Sequence, residues 1–277
     1  MMNKEVLYFE YLYNYITVIS DDLTVCNKLR SLYSNLIVEK PEGDNIGVIC
    51  IESFGDQLII FNDSEKVRTI KDGWVQKFNK MLQNTILFAL KKTYMFFHSS
   101  GVAFGDTAII FVGTPGSGKT SCSIYLALTK KWDFVGDDFL PIAVADNKLC
   151  SFPGCIHAKK NMISLLGLKV DEADHRVNCV GIKNKIFYFQ PELININQTN
   201  SKFSNLIFVF PHYNLYDNSF KKVDGVEKIS HFLRCVYNID YIMQDFLSFI
   251  ANQHKCYSLS YSNFEYLDEI IESIVKQ

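Results

Sequence analysis

Residues 107–120 read Thr-Ala-Ile-Ile-Phe-Val-Gly-Thr-Pro-Gly-Ser-Gly-Lys-Thr. Thr107–Val112 is apolar, aromatic and rich in β-branched residues, which predicts a buried strand. Residues 113–120 match the pattern G-x-x-x-x-G-K-[ST], whose glycines let the backbone turn tightly and aim N–H groups at phosphate oxygens. A helical pattern follows from Ser117 to Thr129. The stretch therefore predicts a strand, a phosphate-binding loop and a helix.

This loop predicts a bound nucleoside triphosphate, with ATP as the substrate and Mg²⁺ as the cofactor. The positive end of the helix dipole adds to the attraction for an anion. We expect Lys119 to reach the β- and γ-phosphates as a point charge and the Thr120 hydroxyl to bind Mg²⁺. A glycine-rich turn with an accidental lysine is the alternative, which the strand and helix on either side disfavour. The residues predicted to surround the phosphates are Gly113, Thr114, Pro115, Gly116, Ser117, Gly118, Lys119 and Thr120.

Two adjacent carboxylates, Asp137 and Asp138, stand at the end of the next strand candidate, Asp133–Val135. A carboxylate at the C-terminal end of a strand beside the phosphates is where a metal ion needs an oxygen ligand. Neighbouring side chains on a strand point to opposite sides, so the two carboxylates can divide the work. One would serve the metal, and the other would accept a proton from an attacking hydroxyl. A plain turn ahead of Phe139 is the alternative.

His98 lies on a further strand candidate, Tyr94–Ala103, which a Gly105-Asp106 turn joins to the strand before the loop. A histidine taken alone is more often structural than functional. Its place on the strand that delivers the chain to the loop makes it a candidate for the site.

Three pieces in this order resemble the HPr kinase family and its HPr kinase-like relatives. They are His98-Ser-Ser-Gly-Val-Ala, then Gly113–Thr120, then Val135-Gly-Asp-Asp. The segment Ser151-Phe152-Pro153-Gly154 also looks like a turn that those relatives carry. The resemblance covers about residues 97–154, is faint as far as residues 206–211, and does not include residues 1–90.

The resemblance implies a core related to phosphoenolpyruvate carboxykinase and ATP-dependent phosphorylation of a serine hydroxyl. Carried over to this chain, Asp137 looks like the general base, Asp138 like a carboxylate on the metal side, and His98 like their active-site neighbour. The catalytic residues that it predicts are Asp137, His98 and Lys119, and the predicted metal ligands are Thr120 and Asp138.

The acceptor is less defined than the donor. The C-terminal signature with which HPr kinase/phosphorylases dock HPr and run phosphorolysis is not found here, which argues against HPr as the substrate. Similar stand-alone members occur beside genes for ribosomally made peptides, including kinases of lasso precursor peptides. The resemblance thus implies a peptide or protein acceptor serine, foremost in such a precursor. A kinase of small-molecule hydroxyls and a nucleotide-binding regulator without transfer activity remain alternatives. The candidates for stabilising the transferring phosphoryl group are Arg176, Lys183, Lys185 and Arg234.

The alternation of strands and helices after residue 100 predicts a mixed α/β (α+β) class with a central sheet. We expect a β-rich N-terminal part with a helix over residues 1–92 and the kinase-like domain over residues 93–277. The strands predicted in the first part are Tyr15–Ile19, Ile46–Ile51 and Gln57–Phe61. The helices predicted from apolar spacing are Leu23–Leu36, Gly73–Leu90 with Asp72 as N-cap, Asp240–Ala251, and a C-terminal helix with the capping box Ser262-x-x-Glu265.

Composition excludes several other functions. The formal net charge is −2 and the basic residues are scattered, which argues against a nucleic-acid partner. No apolar run approaches the length of a membrane span, and the acidic Glu5 and Glu10 argue against a signal peptide. Eight cysteines without a C-x-x-C pair predict free thiols and a cytoplasmic location. The oligomeric state, a homo-oligomer included, is left open.

Lys119→Ala tests the predicted loop. We expect it to weaken Mg·ATP binding and to remove nearly all phosphoryl transfer, because the charge facing the β- and γ-phosphates is lost. Calorimetric titration and a turnover assay measure the two effects. Unchanged affinity and turnover would contradict the phosphate-loop interpretation.

Overall fold

The computed structural model describes residues 4–70, 73–181 and 185–276. Two residues named above, Asp72 as the predicted N-cap and Lys183 as a candidate cation, lie outside the described residues. The chain divides into two compact units. The first comprises Met1–Leu90 and Gly154–Ile194, and the second comprises Lys91–Pro153 and Asn195–Gln277.

Strands and helices are numbered here along the chain. The strands are β1 Glu5–Tyr11, β2 Asn14–Ser20, β3 Ile37–Val38, β4 Asp44–Phe54, β5 Gln57–Phe61, β6 Lys66–Ile70, β7 Tyr94–Phe97, β8 Ser99–Phe104, β9 Thr107–Val112, β10 Asp133–Gly136, β11 Leu140–Ala143, β12 Leu149–Cys150, β13 Ile156–Lys159, β14 Asn178–Val180, β15 Ile186–Phe189, β16 Lys202–Phe203, β17 Asn205–Tyr213, β18 Ser219–Lys222 and β19 Cys256–Tyr261. The α-helices are α1 Leu23–Leu32, α2 Trp74–Leu90, α3 Lys119–Lys130, α4 Lys160–Leu165, α5 Gly225–Leu233, α6 Ile239–Asn252 and α7 Phe264–Val275. A 3₁₀ helix spans Pro191–Ile194. The mixed α/β class predicted from the sequence is confirmed for the described residues.

The first unit is built on a six-stranded sheet with the order β3-β1-β2-β4-β5-β6. β2 and β4 are parallel, so the chain must cross over between them, and α1 makes that crossing. The side chain of Asp22 caps α1 by accepting the N–H groups of Thr24 and Val25. α1 ends at Leu32, earlier than the predicted end at Leu36, and its buried face is Val25, Cys26, Leu29 and Leu32.

Residues 154–194 also belong to the first unit. The division predicted from the sequence placed them in the domain of residues 93–277. They form a separate three-stranded sheet with the order β13-β15-β14. Hydrogen bonds distant in sequence join them to α1, since Lys28 Nζ donates to the carbonyl groups of His175 and Val177. No local sequence pattern predicts that the chain re-enters the first unit at these residues.

The second unit contains a six-stranded sheet with the order β10-β8-β9-β17-β19-β18. β9, β17 and β19 are parallel to one another. β8 is antiparallel to β9 and to β10, so β10 points in the same direction as β9. The carboxyl ends of β10, β9, β17 and β19 therefore lie along one edge of this sheet, which we call the carboxyl edge.

A second sheet of this unit has the order β16-β12-β11-β7. The predicted strand Tyr94–Ala103 is wrong in one respect, because it is two strands in different sheets: β7 pairs with β11, and β8 pairs with β10. The chain passes from one sheet to the other at His98. It passes back between the same sheets at residues 137–139, from β10 to β11. Pairing of Phe97 with Leu140 on one side and of Gly101 with Gly136 on the other holds the two crossings side by side.

Other predicted elements need smaller corrections. α3 begins at Lys119 and not at Ser117, because Gly118 has a φ of 102° and stands outside the helix as its N-cap. The predicted capping box at Ser262 is also displaced, since Asn263 is the residue whose side chain accepts the N–H of Tyr266. The Gly105-Asp106 turn is confirmed, with Phe104 paired to Thr107 across it.

Two expectations from composition concern the whole chain. All eight cysteines fall within the described ranges and are free thiols. Among the helices of the described residues, none combines the length and apolar character needed to cross a bilayer.

The N-cap of α7 gives a stability test. Asn263→Ala removes the 2.8 Å hydrogen bond from Tyr266 N to Asn263 Oδ1, which we expect to lower the free energy of unfolding by about 1 kcal/mol. Ser262 contributes its backbone N–H to Asn218 Oδ1, and Ser262→Ala keeps that bond. Urea unfolding of both variants is the measurement. A larger loss from Ser262→Ala than from Asn263→Ala would restore the capping box predicted from the sequence.

Candidate functional site

The carboxyl edge brings together the residues predicted to bind phosphate, to bind the metal and to act in catalysis. The loop of residues 113–118 follows β9, and Asp137 and Asp138 follow β10. His98 comes directly before β8, whose first residue, Ser99, pairs with Val112 at the end of β9. Ligands of open α/β sheets bind outside the carboxyl ends of strands, so this edge is the candidate site.

The glycine-rich loop turns the chain from β9 into α3. Gly116 and Gly118 have φ angles of 89° and 102°, in the left-handed region that glycine enters without a Cβ penalty. The N-terminus of the 12-residue helix α3 then opens onto the loop and favours an anion. Lys119 is only 5% exposed, and its ammonium donates to the carbonyl of Thr114 at 3.2 Å. The lysine is thus folded back over the loop.

The buried hydroxyl of Ser117 is a further feature that suits a ligand at the loop. Its hydroxyl oxygen is buried and has no hydrogen-bond partner among the residues that the structure describes. A buried hydroxyl without a partner is costly, and such groups in native proteins are expected to have a reason. A phosphate oxygen at the loop is a partner of fitting chemistry.

Tyr261, at the end of β19, packs against the loop at Gly118. Its hydroxyl would lie 2.3 Å from a Cβ placed on Gly118, and it accepts a hydrogen bond from Cys122 Sγ at 3.2 Å. Burial raises the pKa of Tyr261, and the neighbouring Cys122 raises it further, so the tyrosine stays neutral. Gly118 therefore allows both the left-handed turn and the close approach of this ring.

Asp137 lies beside the end of the loop. It is 3% exposed, and its Oδ1 accepts the hydroxyl hydrogen of Thr120 at 2.8 Å. The carboxylate beside Thr120 is thus that of Asp137. The pair of metal ligands predicted from the sequence was instead Thr120 and Asp138. Hydroxyl and carboxylate oxygens are ligands that Mg²⁺ prefers, so this pair fits a magnesium site.

Asp138 points elsewhere because the backbone bends sharply at this residue. Its φ is 63°, and Phe139 N donates to Asp137 O at 2.8 Å across it, which makes a γ-turn of the rare, strained form. Asp138 Oδ1 lies 3.2 Å from His98 Nε2, and the side chain is 32% exposed. Strained residues cluster at functional sites. The adjacent carboxylates diverge through this turn and not through strand alternation, since β10 ends at Gly136.

Tyr237 and the nearby Cys235 form hydrogen bonds with Asp138 and His98. Tyr237 Oη donates to the carbonyl of Asp138 at 3.2 Å, and His98 N donates to Cys235 O at 2.7 Å. Partial burial raises the pKa of Tyr237, and the charge of Asp138 raises it further, so the phenol remains a donor. No local sequence pattern points to Tyr237, because the residue that it contacts, Asp138, lies about a third of the chain away in sequence.

Of the four candidate cations, Arg234 lies in the same unit as the loop. Burial raises the pKa of the Cys235 thiol, and the charges of Lys119 and Arg234 both oppose that rise. Both cations are therefore close enough to act on one thiol. Arg176 and Lys185 belong to the first unit, where they form ion pairs with Asp174 and Glu172 respectively.

No protein-family model and no curated protein matches this chain. A function for the chain must therefore be inferred from the chemistry of this site.

Gly118→Ala tests the loop geometry, and Gly116→Ala is its matched control. Both positions have positive φ, but an added Cβ at Gly118 meets the Tyr261 hydroxyl, whereas nothing lies within 4 Å of one at Gly116. We expect Gly118→Ala to weaken Mg·ATP binding on the order of tenfold or more, and Gly116→Ala to have the smaller effect of backbone strain alone. Calorimetric titration measures both. Equal affinities in the two variants would show that the contact with Tyr261 does not shape the loop.

Proposed function

We propose that this chain is a Mg²⁺-dependent kinase that transfers the γ-phosphoryl group of ATP to a serine hydroxyl of a peptide or protein. One observation carries the proposal. A single sheet edge gathers a glycine-rich loop, a buried carboxylate hydrogen-bonded to Thr120, and a second, partly exposed carboxylate hydrogen-bonded to His98. A nucleotide-gated regulator would have no need of this second pair.

The loop is suited to the triphosphate. The N-terminus of α3 and the unpartnered hydroxyl of Ser117 offer groups for phosphate oxygens. Lys119 would exchange the Thr114 carbonyl for a phosphate oxygen. An ammonium facing the β- and γ-phosphates then balances the charge of the leaving group.

Thr120 and Asp137 would hold Mg²⁺, which reverses the roles that the sequence suggested for the two carboxylates. Asp137 is buried against the Thr120 hydroxyl, so it is badly placed to meet a hydroxyl arriving from solvent. When bound, Mg²⁺ supplies positive charge that stabilises the phosphates during transfer.

Asp138 is then the general base. Its side chain is partly exposed, and His98 and Tyr237 fix the carboxylate and the backbone carbonyl of the same residue. In the proposed step, the acceptor hydroxyl gives its proton to Asp138 while its oxygen forms a bond to the γ-phosphorus. The bond from that phosphorus to the bridging oxygen of ADP breaks. Arg234 is the proposed cation for the charge on the transferring group.

A peptide acceptor is supported by the surface beside Asp138. Leu233 and Tyr237 are 44% and 47% exposed, and they flank Cys235, whose carbonyl accepts the N–H of His98. Exposed apolar side chains next to a reactive group suit a chain-like substrate better than a small polar one. Together with the resemblance to HPr kinase-like proteins, this favours a ribosomally made precursor peptide of the lasso type as the acceptor.

Substitution of each carboxylate tests the proposed roles. Asp138→Asn keeps the size of the side chain but cannot accept a proton, and we expect turnover to fall by about 10²–10⁴ with little change in ATP binding. Asp137→Asn replaces a charged oxygen ligand by a neutral one, so Mg·ATP affinity and turnover should fall together. The exposed Asp106, in the β8–β9 turn, provides the control Asp106→Asn.

The assay follows label from γ-labelled ATP into serine-containing peptides, with calorimetric Mg·ATP titration of each variant. Near-normal turnover in Asp138→Asn would remove the base assignment. The reverse pattern, with lost turnover and normal ATP binding in Asp137→Asn, would return the roles to those predicted from the sequence. Wild-type behaviour in both variants would contradict the kinase function itself.

A further inference from the structure

The direction of the nucleotide along the carboxyl edge follows from the proposed metal ligands. Asp137 follows β10, on one side of the loop that follows β9. Mg²⁺ held by Thr120 and Asp137 would supply positive charge to the γ-phosphate end of a bound triphosphate, so that end would face β8 and β10. The α-phosphate and the nucleoside would then extend the other way, over β17 and β19.

The segment of residues 214–218, between β17 and β18, lies at that position. Tyr213 N, at the end of β17, donates to Ser117 O of the glycine-rich loop at 3.3 Å. The next residue, Asn214, donates its N–H to the carbonyl of Tyr261 at 2.9 Å. Tyr261 in turn lies beneath Gly118. The segment is thus one residue away from direct contact with the phosphate loop.

Hydrogen bonds hold this segment in a defined shape. Tyr216 N donates to Asn214 Oδ1 at 3.1 Å, and Ser262 N donates to Asn218 Oδ1 at 2.7 Å. Ser260 Oγ donates to the carbonyl of Asp217 at 3.1 Å. Both ends of the segment are fastened to the end of β19, so its side chains are presented from a fixed backbone.

Two large apolar side chains on this fixed segment face solvent. Tyr216 is 93% exposed and Leu215 is 63% exposed, so neither stabilises the folded chain by burial. Purine bases stack on aromatic rings and pack against aliphatic side chains. An exposed tyrosine on a hydrogen-bonded segment that begins next to the glycine-rich loop has the chemistry of a base-binding platform.

We infer that Tyr216, with Leu215 beside it, forms the subsite for the purine base of the nucleotide. The inference rests on the proposed function, because the phosphates must occupy the glycine-rich loop for the base to reach this segment. Recognition by stacking would give affinity for the nucleoside without contributing to phosphate or metal binding.

The experiment separates the base from the phosphates by using two probes, Mg·ATP and inorganic triphosphate with Mg²⁺. We expect Tyr216→Ala to bind ATP about fivefold to a hundredfold more weakly than wild type while its triphosphate affinity is unchanged. Tyr216→Phe keeps the ring and should retain nearly full ATP affinity. Phe54→Ala, at a similarly exposed aromatic residue of β4, is the control, and unchanged melting shows that each variant is folded.

Each result has one meaning. Wild-type ATP affinity in Tyr216→Ala overturns the base subsite, as does equal weakening of ATP and triphosphate in that variant. Wild-type protein that binds triphosphate as tightly as ATP also overturns it, because the base then contributes no affinity. Wild-type protein that binds neither probe contradicts the proposed function, which is a different failure from that of the subsite.

Discussion

The candidate site depends on one constraint, the double passage of the chain between the two sheets of the second unit. β7 and β8 are consecutive in sequence but belong to different sheets. The same is true of β10 and β11. Because β7 pairs with β11 and β8 pairs with β10, the two crossings must lie next to each other. That pairing brings His98 into contact with Asp138. The contact between these side chains is therefore a consequence of strand topology.

The same passage separates the two carboxylates. Bending the backbone within residues 137–139 puts Asp138 at a positive φ, and Gly136 has no room for a Cβ, which would meet Phe152 O at 2.8 Å. Asp137 remains buried beside Thr120, and Asp138 emerges toward His98. One strained turn thus leaves one of two identical residues buried and the other partly exposed. The roles proposed for them, metal ligand and proton acceptor, differ only through these surroundings.

The parallel strands place the other proposed functional groups in a line along the carboxyl edge. The proposed proton acceptor follows β10, the proposed phosphate-binding loop follows β9, and the proposed base platform follows β17. Tyr261 and Tyr213 connect the last two by contacting the loop with a side-chain hydroxyl and a backbone N–H respectively. A nucleotide lying along this line would present its γ-phosphate to Asp138, and its opposite end would be far from the acceptor.

The sequence by itself determined the strand, loop and helix around Lys119, because glycine spacing and apolar periodicity are local properties of the chain. It also drew attention to His98, Asp137 and Asp138. It could not determine which carboxylate contacts Thr120, nor that Tyr237 bonds to Asp138. Those contacts join residues far apart in sequence, and they depend on strand order and on a bend that breaks the alternation of a strand. Only the tertiary structure, which pairs the strands and sets that bend, decided them.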